Sequence, residues 1–242
     1  MIEEKTDNSN RGATSAEKLV NEPNIKKNKE SFTSTSEQLI EAGEKKEGEE
    51  EYVHSVWLKK FSFRIALLSM FSALAVVLGY TLAGIPNVEL FTLMIFLGGF
   101  IMGYKEGVLI GLLSSSIFIF FNPYGVSPLP LLTYQIIHYG LVGLAGALTH
   151  WFLKNKKYFK PKEDLYVWQI LLLFAFIGAI ITIAYDLIST VIGALVIYGN
   201  LDTFVPYFLS GIFFTTVHEV GNTLGFIFML PGLIQLLHKL LY

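Results

Sequence analysis

Residues 61–83 read FSFRIALLSMFSALAVVLGYTLA, with Arg64 as the one charged side chain. A helix needs roughly 20 apolar residues to cross the hydrocarbon layer of a bilayer, and this stretch supplies them. Similar stretches recur to the C-terminus, and their spacing predicts six helices. The first four are Phe61–Ala83, Val88–Tyr104, Glu106–Phe121 and Pro130–Phe152, and two longer ones begin near Tyr166 and Thr203. The last two exceed a simple crossing, so tilt, a break or extension beyond the lipid must absorb the excess. A short interfacial piece before Gly211 is one such break. The expected fold class is an all-α integral membrane protein, a six-transmembrane-helix bundle with cytosolic N- and C-termini and a disordered N-terminal tail.

Charge divides the chain in the same place. Residues 1–60 hold 13 acidic and 10 basic side chains, whereas residues 61–242 hold only 7 and 8. A body so poor in charge is not an ordinary soluble enzyme. Residues 1–52, rich in Glu, Lys, Asn, Ser and Thr, bury too little apolar surface to offset chain ordering and read as a disordered charged cytosolic tail. Residues 53–60 form a membrane-proximal segment, and 61–242 the six-helix membrane domain. Met1-Ile2-Glu3-Glu4 does not read as a signal peptide, and Ile2 stands where myristoylation needs glycine. A net charge of -2 provides no basic field for nucleic acid, and the lack of cysteine removes disulfide and thiolate chemistry.

The basic residues near and within the body fix an orientation. Lys59, Lys60 and Arg64 flank the first helix, Lys105 lies between the second and third, and Lys154, Lys156, Lys157, Lys160 and Lys162 crowd the loop after the fourth. Lys239 ends the sixth. Six crossings put all of these on one face, which the positive-inside rule makes cytosolic. The opposite loops, near Gly84–Asn87, Asn122–Leu129 and Gly199–Asp202, hold no Lys or Arg.

Polar side chains inside apolar segments mark the candidate site. A carboxylate at the centre of a lipid-exposed helix costs roughly 2.5–3.5 kcal/mol, so Glu89, Asp186 and Glu219 should face protein or a polar cavity. His218 and Asn222, four apart, share a helix face with Thr215 nearby, and Glu219 adjoins it. Helix 4 opens with Tyr134, Gln135 and His138. Asn122 and Tyr124 lie in a turn-rich outer cap, and Asn87 in the first outer loop; together they suit a small organic molecule. Capping acids and a buried interhelix network are the structural alternatives. His218-Glu219-Val220-Gly221-Asn222 departs from the zinc-protease pattern, because Asn222 stands where the second histidine ligand belongs. No metal or catalytic residue is assigned. Small residues at Ser62/Ala66, Ser69/Ala73 and Ala75/Gly79, and the Gly140-x-x-Gly143-x-x-Gly146 run, serve either internal packing or docking of another membrane subunit.

Taken in order, these features resemble the substrate-binding S components of energy-coupling factor (ECF) transporters over nearly all of residues 60–240. The resemblance rests on the six helices, the small-residue first helix, Ile85-Pro86-Asn87-Val88-Glu89, Phe121-Asn122-Pro123-Tyr124-Gly125, Tyr185-Asp186-Leu187 and His218-x-x-x-Asn222. It implies capture of a vitamin, vitamin precursor or related micronutrient near the outer face. It also implies a transmembrane coupling subunit and two cytosolic ATPase subunits as partners, with toppling of the S component exposing substrate inside. The chain has no nucleotide-binding loop of its own, so ATP would be used by those partners and no cofactor by this subunit. Asn87, Glu89, Asn122, Tyr124, Tyr134, Gln135, Asp186, His218, Glu219 and Asn222 are the expected substrate contacts. Ala66, Ser69, Ala73, Ala75 and Gly79 are the expected docking residues, although the family's pair of alanines four apart maps imperfectly onto Ser69 and Ala73. The competing expectations are a non-catalytic membrane scaffold or cell-envelope assembly protein, and an intramembrane enzyme using His218 and Glu219.

Overall fold

The structure, a computed structural model, describes residues 55, 57–85, 88–122 and 125–242. The tail expected at 1–52, together with Asn87 and Tyr124, lies outside the described residues. Regular structure among the described residues is entirely helical: α1 (Phe61–Leu82), α2 (Phe91–Met102), α3 (Tyr104–Phe120), α4 (Leu129–Leu153), α5 (Trp168–Tyr198), α6 (Phe204–Ser210), α7 (Ile212–Phe228) and α8 (Leu230–Leu241). Four stretches are long and apolar enough to cross a bilayer, namely α1, α4, α5 and the run Ile212–Leu241 through α7 and α8. The chain is an all-α, multi-pass membrane protein.

The expected second helix is present but shorter than its sequence boundaries, at 12 residues, whereas the third, at 17, begins two residues before its expected start. At 1.5 Å per residue α2 rises only about 18 Å, less than the thickness of a bilayer core. Gly103 accounts for the early end. It closes α2 and opens α3 at φ 96°, a backbone region that side chains rarely enter. The excess length at the C-terminal end is divided by breaks. α6 forms the short piece before Gly211, and Pro231 stands in the first turn of α8, where its missing N–H has no intrahelical partner to lose. α5 keeps its full 31 residues and stops at Gly199, which is left-handed at φ 74°.

Every residue of α2 from Phe91 to Ile101 is buried. A helix apolar on all sides is one enclosed by others, and the enclosure here depends on glycine. A methyl group on Gly99 or Gly107 would collide with the Gly143 backbone of α4, and one on Gly143 with that of Gly107. Gly111 lies equally close to the Tyr139 carbonyl, and Gly146 to that of Phe96. Backbone therefore meets backbone where α2, α3 and α4 converge, a close approach available only to the smallest residue. The α4 glycine run is an internal packing surface.

The small residues of α1 divide between two faces. Ala75 is fully buried, and a methyl on Gly79 would strike the rings of Phe118 and Phe91. Ala75 and Gly79, expected among the docking residues, pack against the interior of the bundle. Their face is the one that carries Phe71 and Ser72 inward. Ser62, Ala66, Ser69 and Ala73 recur at steps of four, three and four on the other face and are exposed. Arg64 pairs with Glu106 of α3, joining α1 to α3 at the end of the bundle that holds the basic residues.

α5 and α7 run antiparallel in a regular register. Gly178 receives the ring of Phe226, Thr182 meets Asn222, and Asp186 meets His218. Each step moves one turn along both helices, so one face of each carries the whole seam.

The glycine contact yields a direct test. Gly143→Ala is expected to destabilise the detergent-solubilised protein by about 3 kcal/mol or more, because the added methyl meets backbone that cannot rotate away. Gly140→Ala meets only the flexible end of Leu112, at 3.2 Å, and should melt close to the parent. Thermal unfolding followed by circular dichroism separates the two; equal melting would show that the glycine contact does not limit packing.

Candidate functional site

Glu89 precedes the first turn of α2 and accepts a 2.5 Å hydrogen bond from the Thr92 hydroxyl. Its carboxylate also faces α7, with Oε1 lying 3.4 Å from His218 Nε2 and 3.4 Å from Asn222 Nδ2. On the other side of the ring, His218 Nδ1 lies 2.9 Å from Asp186 Oδ1 of α5. Asn222 completes the group by donating to the Thr182 hydroxyl at 3.1 Å. Asp186, His218 and Asn222 are all buried. Three elements that never meet in sequence are therefore joined through one imidazole.

The chemistry of the imidazole is set by its neighbours. Each ring nitrogen faces a carboxylate oxygen, and an ionised carboxylate only accepts hydrogen bonds. The arrangement is satisfied by an imidazolium donating both N–H groups, or by one proton residing on a carboxyl group. In either form one acid is neutralised locally, and a negative charge remains inside the bundle. Asp186 Oδ2 has no hydrogen-bond partner among the described residues.

A second layer of contacts comes from α4. Tyr134 donates its hydroxyl to the Ala184 carbonyl at 3.0 Å, and the same hydroxyl lies 3.3 Å from His138 Nδ1. Gln135 donates from Nε2 to the Tyr185 hydroxyl at 2.9 Å, while its buried Oε1 has no hydrogen-bond partner among the described residues. Tyr185 is the hinge between the layers, because its ring also packs edge-on against His218 with centroids 5.9 Å apart.

Above this cluster lies a cavity of about 370 Å³. Tyr185, Ser189, Thr190 and Gly193 of α5 line one side, and Tyr207 and Thr215 stand on the other. Asp186 is 12 residues before the end of α5, so it sits roughly 18 Å along the axis from that end. The outer half of α5 extends past the cluster and forms the cavity wall. This places the excess length of α5.

The structure thus brings together Glu89, Asp186, His218 and Asn222, and sets Tyr134 and Gln135 beside them. It does not bring Glu219 into the group. That side chain lies on the neighbouring face of α7, accepts from Thr223 Oγ1 one turn along at 3.4 Å, and keeps Oε2 buried with no hydrogen-bond partner among the described residues. Asn122 lies in the turn after α3, where its carbonyl accepts from the Gly125 N–H. Thr92, Thr182, Ser189 and Thr190 were absent from the expected contacts. A signal for them existed, since Thr92 is three residues from Glu89, and the other three lie three or four from Asp186, on the same helical face. Among the described residues, no three His, Asp or Glu side chains are grouped to hold a metal ion.

No known protein family, curated protein or solved structure matches the chain.

Removing one partner of a buried charged group leaves the other unpaired, which costs several kcal/mol. Asp186→Ala is expected to destabilise the protein by about 3 kcal/mol, and Glu219→Ala, outside the cluster, by less than about 1 kcal/mol. Melting temperatures of the two purified variants read the difference. Equal losses would mean that His218 is not held through Asp186.

Proposed function

We propose that the protein is the membrane-embedded substrate-capture subunit of an ATP-driven, ECF-type importer for a vitamin, vitamin precursor or related micronutrient. It would sit in the cell membrane with six crossings and both termini cytosolic, α2 and α3 being the two short crossings. The observation that carries this reading is the cavity beside Tyr185, at the end of the bundle away from the basic residues. Its walls belong to the outer end of α5, the start of α4 and the α6–α7 junction. Small-molecule sites between helices of a bundle have this form, an apolar enclosure with a few placed polar groups.

In this reading the subunit binds and carries, and performs no chemistry itself. The Glu89–His218–Asp186 group would hold α2, α5 and α7 in register beneath the cavity, so that ligand contacts at Tyr185 reach the packing of three helices. A transmembrane coupling subunit and two cytosolic ATPase subunits would supply the energy. The exposed stripe Ser62, Ala66, Ser69 and Ala73 supports docking of the coupling subunit, because small side chains allow another helix to approach closely.

One observation favours a membrane scaffold as the second reading. Glu89, His218, Asp186 and Asn222 hydrogen-bond to one another, as a purely structural network would.

The test is to purify the protein, denature it and identify released small molecules by mass spectrometry. A discrete micronutrient-sized compound that raises the melting temperature when added back is the expected result. Ala73→Trp should retain that compound and lose co-purifying coupling and ATPase subunits. An empty protein that co-purifies with cell-envelope enzymes instead would establish the scaffold.

A further inference from the structure

Among the described residues, the wall of the cavity carries no formal charge. No Lys, Arg, His, Asp or Glu is among the described residues of its wall, and of the buried oxygens of the acids in the cluster below it only Asp186 Oδ2 lacks a hydrogen-bond partner among the described residues. Asp186 Oδ1 faces His218 at 2.9 Å, and Glu89 faces His218, Asn222 and Thr92. An anionic ligand entering this space would lose its hydration and find no cation in return. A buried negative charge without a partner is among the costliest arrangements a protein can hold.

Three hydroxyls of the wall have a definite polarity. Ser189 donates to the Tyr185 carbonyl at 2.6 Å, Thr190 to the Asp186 carbonyl at 2.6 Å, and Ser210 to the Tyr207 carbonyl at 2.7 Å. A hydroxyl has one proton and two lone pairs. Each of these three has committed its proton to its own helix, and what remains for a ligand is acceptor capacity. Thr215, Tyr185 and Tyr207 add further hydroxyls, and the rest of the wall is aliphatic or aromatic, including Leu131, Ile192 and Phe214. Gly193 makes room for the Tyr207 ring, whose edge stands 2.8 Å from where a Cβ would be.

From this lining we infer that the cavity takes an uncharged organic molecule with an apolar or aromatic body and hydrogen-bond donors on its edge, and excludes phosphorylated and carboxylated forms. The inference rests on the capture reading and names the chemical class of its substrate. It also shifts recognition away from the acids. Ser189, Thr190 and Ser210 read the ligand, and the Glu89–His218–Asp186 group holds the floor on which Tyr185 stands.

Matched pairs with a common body and different charge provide the test. Nicotinamide is compared with nicotinate, pyridoxine with its phosphate ester, and riboflavin with its phosphate ester, with thiamine as a cationic probe. Binding to the purified full chain is measured by calorimetry, beside identification of any compound released on denaturation. The expected result is that a released compound or a bound panel member is uncharged and exceeds its anionic counterpart by at least ~tenfold in affinity. Replacing Ser189→Ala together with Thr190→Val removes two acceptors and is expected to weaken that ligand ~tenfold, with the ligand-free melting temperature unchanged. Gly193→Val, which pushes Tyr207 into the cavity, should abolish binding by volume alone. A released or tightest-binding compound that is anionic, or thiamine as the tightest binder, overturns the assigned class and leaves substrate capture standing. Unaltered affinity in the Ser189/Thr190 double variant overturns the hydroxyl readout. An empty protein that binds no panel member overturns capture, and the inference with it.

Discussion

The meeting of backbone with backbone at Gly99, Gly107 and Gly143 is the constraint on which the rest of the fold depends. Within lipid there is no hydrophobic drive to press helices together, so association relies on close van der Waals contact and on interhelical hydrogen bonds. Glycine lets α3 and α4 close around α2. Enclosure, in turn, allows α2 to be short, because a helix covered on all sides need not match the thickness of the lipid. A short α2 brings Glu89 level with Asp186 in the middle of α5 and with His218 of α7.

That placement explains how an apolar bundle holds two acids so close together. Glu89 and Asp186 would each be expensive alone in lipid. With His218 between them the three groups answer one another, and Asn222, Thr182 and Thr92 take up further lone pairs and protons. The same residues that make the cluster tolerable also fix how α2, α5 and α7 lie against each other. Above the cluster the helices no longer have matched lengths. α5 continues outward while α2 has ended, and the cavity occupies part of the outer region bounded by α4, α5 and the start of α7.

Much of the architecture was legible in particular residues. The apolar runs located α1, α4 and α5 within a few positions, and Gly211 marked the break after α6. Asp186, His218 and Asn222 stood out as polar groups in apolar surroundings, and burial followed from their cost in lipid. Other assignments could not be made from periodicity. Glu219 adjoins His218 in sequence yet falls on the next face of α7, because successive residues of a helix are separated by about 100°. Ala75 and Gly79 have the same four-residue spacing as Ser69 and Ala73. Spacing states that a face is smooth, without stating which neighbour uses it.

The sequence by itself determined that this is an all-helical membrane chain with a charge-poor body, and which of its polar residues had to be sheltered. Those properties follow from transfer energies, which depend on composition and local pattern. Tertiary structure alone decided that Glu89 meets His218 across 129 positions, that the α4 glycines serve the interior, and that the cavity is walled by hydroxyls rather than acids. Each of these is a question of which helix faces which. That is settled by the fit of surfaces distant in sequence, and no local pattern of residues encodes it.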